Sequence, residues 1–165
     1  MTALPAPIPR PELDERDLRA AFGSFATGVA FVTALVDGAP LGLIVSTFTA
    51  VSLDPPLVSF CPARDSFTWR RMRQAGHFRV SVLRAWHGDF ARRAAEPEAD
   101  RFAQPLIDPL AVIACDLEAE HPAGDHTIVL GRVRSLRVSS PSRPLVYFAG
   151  GFGAFHPQES PCPQT

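Results

Sequence analysis

Lysine and asparagine are both missing from the 165 residues, so all 16 basic side chains are arginine. This reads as the coding bias of a GC-rich genome rather than as arginine-rich phosphate recognition. The 17 acidic residues leave a net charge of only −1. With a pI near 6.5 the chain shows no electrostatic footprint for nucleic acid or a membrane surface, and neither partner is expected. Charged residues make up 20 % of the chain, below the usual ~25 %, which leaves room for a buried subunit interface. Cys61, Cys115 and Cys162 are odd in number, far apart and without CxxC or Cys/His spacing. Neither a disulfide framework nor a metal site is expected, and a reducing cytoplasm is the default compartment. No apolar run approaches the ~20 residues that span a bilayer. The N-terminus is punctuated by proline and lacks a signal-peptide pattern. The GxGxxG fingerprint of a Rossmann site and the GxSxG elbow of a serine hydrolase are also absent.

What is present describes one domain. Hydrophobic residues reach 46 % and the mean hydropathy is +0.06. A domain of this size buries roughly 70 % of its unfolded surface. The proline-bearing ends, residues 1–11 and 156–165, read as disordered tails around a folded domain over 12–155. Glu12 to Thr27 has helical apolar spacing and ends at Gly28; Val29 to Val36 reads as a strand. Asp37-Gly38 is a hairpin turn into a second strand near Leu41. Further strands are expected at Leu57–Cys61, Phe78–Leu83, Ala111–Ala119, Thr127–Val138 and Leu145–Ala149. Short helices are expected at Ser66–Gln74 and Trp86–Ala95, with a mobile stretch over Glu96–Asp108. Strands in hairpin order with few helices predict a mostly β, antiparallel barrel.

Two stretches carry the candidate chemistry. In Gly42-Leu-Ile-Val-Ser-Thr-Phe-Thr-Ala-Val-Ser-Leu-Asp-Pro-Pro56, a strand runs into a turn lined by Ser46, Thr47, Thr49 and Ser52, and Pro55-Pro56 is expected to stop the ladder. Short hydroxyls and free amides at a strand end suit the oxygens and ring nitrogens of a polar cofactor. In Gly124-Asp-His-Thr-Ile128, His126 stands at the mouth of a strand behind a Gly-Asp turn. Together they suggest a flavin site with a histidine at its reactive edge. Cys61-Pro-Ala-Arg-Asp-Ser-Phe-Thr68 adds an anion-binding candidate, with Ser66 and Thr68 at a helix start and the forked Arg64 before it. Locally, Ser66 also fits a plain helix cap, Arg64 a solvated side chain and His126 a turn-stabilising donor. Arginines 70, 71 and 73 read as a solvated helix face, and His77, His87, His121 and His156 receive no role.

The order of these pieces resembles the flavin reductase-like family, the FMN-binding split barrels that include reductase components of two-component flavin monooxygenases. Its markers run from about Leu18 to Phe155: Phe25-Ala-Thr-Gly-Val29, Ser46 to Pro56, Ser66-Phe-Thr68, Gly76-His-Phe78, Gly124 to Ile128 with Gly131, and Pro144-Leu-Val-Tyr147. The resemblance implies a six-stranded Greek-key split barrel, a homodimer, and flavin near the subunit interface. It implies that Val45, Ser46, Thr47, Phe48, Thr49 and Ser52 line the isoalloxazine and ribityl chain, largely through backbone groups. Cys61, Arg64, Ser66, Phe67 and Thr68 would hold the ribityl and phosphate region, Phe152 would contribute from the C-terminal end, and His126 would be the catalytic residue near the nicotinamide. The implied reaction takes hydride from NADH or NADPH to FMN or FAD, an EC 1.5.1-type activity, and supplies reduced flavin to a partner monooxygenase or halogenase.

Three departures from that pattern stand out. Ser46-Thr47 replaces the usual Asn-Ser, the connection Ala103–Pro109 is short, and phenylalanine stands at 152 where a tyrosine is usual. The short connection bears on the nicotinamide side and keeps two other readings open. These are a flavin-dependent oxidoreductase or oxidase acting on an organic substrate, and a non-catalytic flavin-binding accessory protein.

Overall fold

A computed structural model describes residues 13–96 and 99–157, and in these the chain forms ten strands in two sheets. In chain order the elements are α1 (Glu15–Gly23), β1 (Thr27–Gly28), β2 (Ala30–Val36), β3 (Ala39–Val45), β4 (Thr49–Leu53) and β5 (Pro56–Phe60). Then come α2 (Phe67–Met72), β6 (His77–Val82), α3 (Gly88–Ala95), β7 (Ala111–Ala123), β8 (His126–Val138), β9 (Leu145–Phe148) and β10 (Gly151–Ala154). Single 3₁₀ turns at Arg73–Ala75 and Ala85–His87 lead out of α2 and into α3. The larger sheet is antiparallel throughout and runs β3-β2-β6-β7-β8-β5-β4; the smaller runs β1-β9-β10. The mostly β, antiparallel architecture is as expected, whereas the strand count is ten rather than six and the larger sheet does not close on itself. The expected tails fall outside the described residues, apart from His156 and Pro157.

The large sheet is buried on both faces over part of its length. Along β2, Ala30, Val32 and Ala34 enter a core with Phe60, Trp69, Phe78 and Val129, while Phe31, beside Val29, faces a second core with Leu83, Ala91 and Leu145. Two-sided burial explains why this strand reads as a near-continuous apolar run rather than an alternating one. In β3, Leu41, Leu43 and Val45 pack on the first core and Ile44 on the second. Between them Gly42 is obligatory, because a Cβ there would lie 2.5 Å from the Phe31 ring and 3.3 Å from Phe102. Phe102 therefore docks on the sheet, and the described part of the stretch expected to be mobile is tied down. Arg101 Nε donates to the Ala94 carbonyl at 2.8 Å, and Arg84 Nε donates to the Asp108 carbonyl at 2.5 Å.

Several boundaries differ from the sequence reading, each for a local reason. The first helix stops at Gly23, and Thr27-Gly28 pairs as β1 with Val146-Tyr147 of β9. Pro55-Pro56 does not stop the ladder: Leu53 pairs with Pro56 around the Asp54-Pro55 turn, so the prolines make the β4–β5 hairpin. Proline is tolerated as the first residue of a strand. β7 and β8 run to Ala123 and His126 because the ladder continues past register shifts at Ala114/Cys115 and Leu117/Ala119. β10, absent from the sequence reading, follows a two-residue turn in which Ala149 and Gly150 both have positive φ, 47° and 81°. Asp37-Gly38 makes the same kind of turn, as expected, with φ of 52° and 78°.

His87, given no role from sequence, is a buried structural group. Its Nδ1 accepts the Arg84 N–H at 3.0 Å, and its Nε2 lies 2.9 Å from the Ile107 carbonyl oxygen. Burial chiefly holds its pKa below the ordinary 6.5; the Ile107 carbonyl opposes this and the Arg84 charge reinforces it. The unfolded chain therefore takes up a proton at a pH where the folded protein does not, so stability is complete above the ordinary value and falls as pH drops below it. Thermal melts should shift down between about pH 7.5 and about pH 5.5, and His87→Gln should flatten that part of the slope. An unchanged slope in the variant would remove His87 as its source.

Candidate functional site

The loop between β5 and α2 is held from three directions. From the β7–β8 hairpin, Ala63 forms a β-bridge with His126. The Arg64 N–H donates to the Asp125 carbonyl at 2.8 Å, and the Thr127 N–H donates to the Pro62 carbonyl at 3.0 Å. From the β3–β4 connection, Thr47 Oγ1 accepts the Cys61 N–H at 2.8 Å. From α2, Ser66 Oγ accepts the Trp69 N–H at 3.2 Å, and the Ser66 N–H closes a turn on the Ala63 carbonyl at 3.0 Å. Residues 46–48, 61–66 and 125–127, far apart in sequence, thus form one neighbourhood.

His126 is half-exposed within it, and its Nδ1 stands 2.7 Å from Asp125 Oδ1. With Nδ1 donating to that carboxylate, Nε2 is the nitrogen left to face a ligand. The hydrogen bond from His126, reinforced by its charge, holds the Asp125 carboxyl below the usual carboxylate range. Arg64 anchors the loop through its backbone, and among the described residues its guanidinium has no partner. Ser46 and Thr68 make no side-chain hydrogen bond among the described residues, whereas Thr49 Oγ1 donates to the Ala50 carbonyl at 3.3 Å. The Cys61 thiol is half-buried, and burial raises its pKa.

Other expected site residues are placed differently. Val45 is buried, so only its backbone can meet a ligand, whereas Phe48 is half-buried against the first core. Ser52 pairs with Leu57 further out on the β4–β5 hairpin, roughly 10 Å beyond Thr49 at ~3.3 Å per residue. Phe67 is exposed, with the Arg71 guanidinium 5.9 Å from its ring centre. Phe152 lies in the smaller sheet, 5.4 Å from the Tyr147 ring, and packs on the second core that also receives Ile44. The contacts of one chain do not bring it to the loop. Arg73 is not merely solvated, because its Nη2 pairs with Glu120 Oε2 at 2.8 Å. The sequence gives no local sign of the contacts that Glu120 makes with Trp69 and Arg73, because an acid just beyond a strand bulge does not reveal its partner.

Residues 22–156 match the family described as "Flavin reductase like domain". The chain belongs to that family. It is 40 % identical over 167 residues to the flavin reductase of Pseudomonas putida, covering 94 % of this chain and 98 % of that protein. It is 37 % identical over 159 residues to the reductase subunit HsaB of a flavin-dependent monooxygenase from Rhodococcus jostii, covering 90 % and 82 %. In three dimensions it is similar to the NADH:FAD oxidoreductase SgcE6 of Streptomyces globisporus in complex with NAD and FAD fragments. That likeness has a TM-score of 0.83 and 31 % identity, over 89 % of this chain and 96 % of that one.

In this flavin reductase-like chain Thr47 has a structural task that a free ligand contact would not give it. Thr47→Val should leave the Cys61 N–H without its partner and lower unfolding stability by about 1 kcal/mol in a urea titration. Thr47→Ser should restore most of it; a valine variant as stable as the parent would show that the tie between the two loops is dispensable.

Proposed function

We propose that this protein is an NAD(P)H-dependent flavin reductase that takes hydride from NADH or NADPH to FMN or FAD. The observation that carries this is the backbone tie placing His126 beside the loop that bears Arg64, within a family member whose relatives are flavin reductases. The donor set fits such a cofactor. Arg64 offers an unpartnered fork suited to phosphate, Ser46 and Thr68 offer free hydroxyls, and the ends of β3 and β5 offer backbone groups. The flavin, when bound, supplies the electron-accepting ring, and the chain's part is to hold it, orient the nicotinamide donor and exclude water. His126, with Nδ1 held by Asp125, keeps Nε2 aimed as an acceptor on the nicotinamide side.

Released reduced flavin would then serve an oxygenase or halogenase component; the similarity to HsaB supports the oxygenase reading. A homodimer is part of the same proposal. α1 buries none of its residues; its Phe22 and the nearby Phe25 are 73 % and 75 % exposed, an apolar patch that a second copy would cover. The six contiguous strands β3-β2-β6-β7-β8-β5 would be the split barrel proper, with β4 as its outlying arm. The cysteine spacing supports a reducing, cytoplasmic compartment as part of the same proposal.

An anaerobic stopped-flow trace of oxidised-flavin absorbance, mixing protein and FMN or FAD with NADH and then NADPH, tests the assignment. Protein-dependent bleaching is expected, and its rates name the preferred pair. Bound flavin that stays oxidised would turn the assignment to an organic substrate or an accessory binding role. His126→Ala should slow the bleaching at least tenfold with flavin affinity nearly intact; parental kinetics would remove it from the mechanism. Ser66→Ala combined with Thr68→Ala should weaken FMN binding more than riboflavin binding, because only FMN carries the phosphate they are assigned. Equal losses for both ligands would leave Ser66 as a helix cap alone.

A further inference from the structure

We propose that Glu120 is a positioning residue for the flavin-binding loop, acting through Trp69. The inference rests on the flavin reading of that loop and adds a residue outside the loop itself.

Glu120 sits just beyond the β7 bulge at Leu117/Ala119, where its partner in β8 is Val129, whose own partner in β5 is Phe60. Directly opposed residues of an antiparallel sheet share a face, and Val129 and Phe60 are both 0 % exposed in the first core. The carboxylate therefore points to the core side, and its side chain is only 15 % exposed. There Oε1 accepts the Trp69 indole N–H at 2.8 Å, and Oε2 pairs with Arg73 at 2.8 Å. Trp69 is bonded at both ends: its ring donates to Glu120, and its backbone N–H donates to Ser66 at the end of the loop. The two bonds fasten the first turn of α2 to the sheet on one side and to Ser66 on the other, so loss of the indole's partner frees that turn, and the Ser66 end of the loop with it, to shift.

Packing and hydrogen bonding act together on the indole: Trp69 meets Phe60 and Phe78 edge to face, which seats the ring, and the carboxylate fixes where its N–H edge points. A carboxylate kept from water beside a core is a poor device for stability, since an apolar residue fills such a position at less desolvation cost. What the carboxylate supplies is direction: two fixed oxygens that set the indole and, one helical turn back, the loop.

The test titrates FMN into the parent, Glu120→Gln and Glu120→Ala by fluorescence quenching, with circular dichroism confirming that each is folded at the assay temperature. Steady-state kinetics give KM for FMN and kcat separately. Glu120→Ala should weaken FMN binding and raise its KM at least tenfold with kcat within about twofold, while Glu120→Gln, which keeps an acceptor for the indole, should stay within about threefold. A purely structural Glu120 would lower the melting temperature and leave the affinity of the folded variant unchanged, and that result overturns the proposal. Should Glu120→Ala fail to fold, Trp69→Phe removes the same hydrogen bond while keeping an aromatic ring, and parental affinity in that variant overturns it equally. A parent that binds no flavin would instead defeat the underlying reading of the loop.

Discussion

Phe60, Trp69 and Phe78 meet edge to face in the first core at centroid separations of 5.1, 5.3 and 6.2 Å, and each belongs to a different element. Phe60 ends β5 and immediately precedes the candidate site loop, Trp69 lies in α2 directly after that loop, and Phe78 belongs to β6. The loop is therefore strung between two members of one aromatic cluster and has few places to go. Gly131 shows how tightly the cluster is fitted: a Cβ there would clash with the edge of the Phe78 ring and stand 3.1 Å from Cys115 Cβ. Close packing of this kind turns a surface loop into a fixed shelf.

The shelf is completed by polar ties that hydrophobic burial could not specify. Hydroxyl, amide and carbonyl groups of residues 47, 61–64 and 125–127 bond one another, so the loop and the β7–β8 tip share one backbone network. Elsewhere on β7 and β8 the charges are spent on the sheet itself. Arg132 pairs with Glu118 and Arg134 with Asp116, both across the strands. Glu120 alone among the acids of β7 pairs with α2. The bulge before it helps to make that difference, since an extra residue re-aims the side chains that follow.

Much of this fold is legible in the residue pattern. The Asp37-Gly38 hairpin, the Ser66 cap, the left-handed Gly76 and the turn before His126 are local, and each follows from turn or capping chemistry. The neighbourhood of Ser46–Phe48, the 61–66 loop and His126 was legible only through the order of family motifs, because nothing local tells Thr47 that its partner is Cys61. The misses are non-local in the same sense. β10 needs a non-glycine residue, Ala149, at positive φ; the partner of Arg73 is 47 residues away, and that of Trp69 is 51 residues away. The two-residue period of β3 turns the Val45 side chain into the core with Leu41 and Leu43, which leaves its backbone as the part free for the contact that the family pattern implies.

The distribution of tasks among the hydroxyls bears on how a cofactor could be held. Thr47 and Ser66 each accept a backbone N–H. A hydroxyl that accepts one bond still has a proton to donate, but its oxygen is fixed by the fold. Such groups can favour only a ligand that accepts at the place where they already point. The adaptable contacts are left to Arg64, Thr68 and the backbone groups around Ser46. An arrangement of fixed donors with one free guanidinium suits a ligand that has a rigid ring at one end and an anion on a flexible chain at the other. The ring would meet what the fold has fixed, and the anion would be reached by the one long side chain of the loop left without a partner.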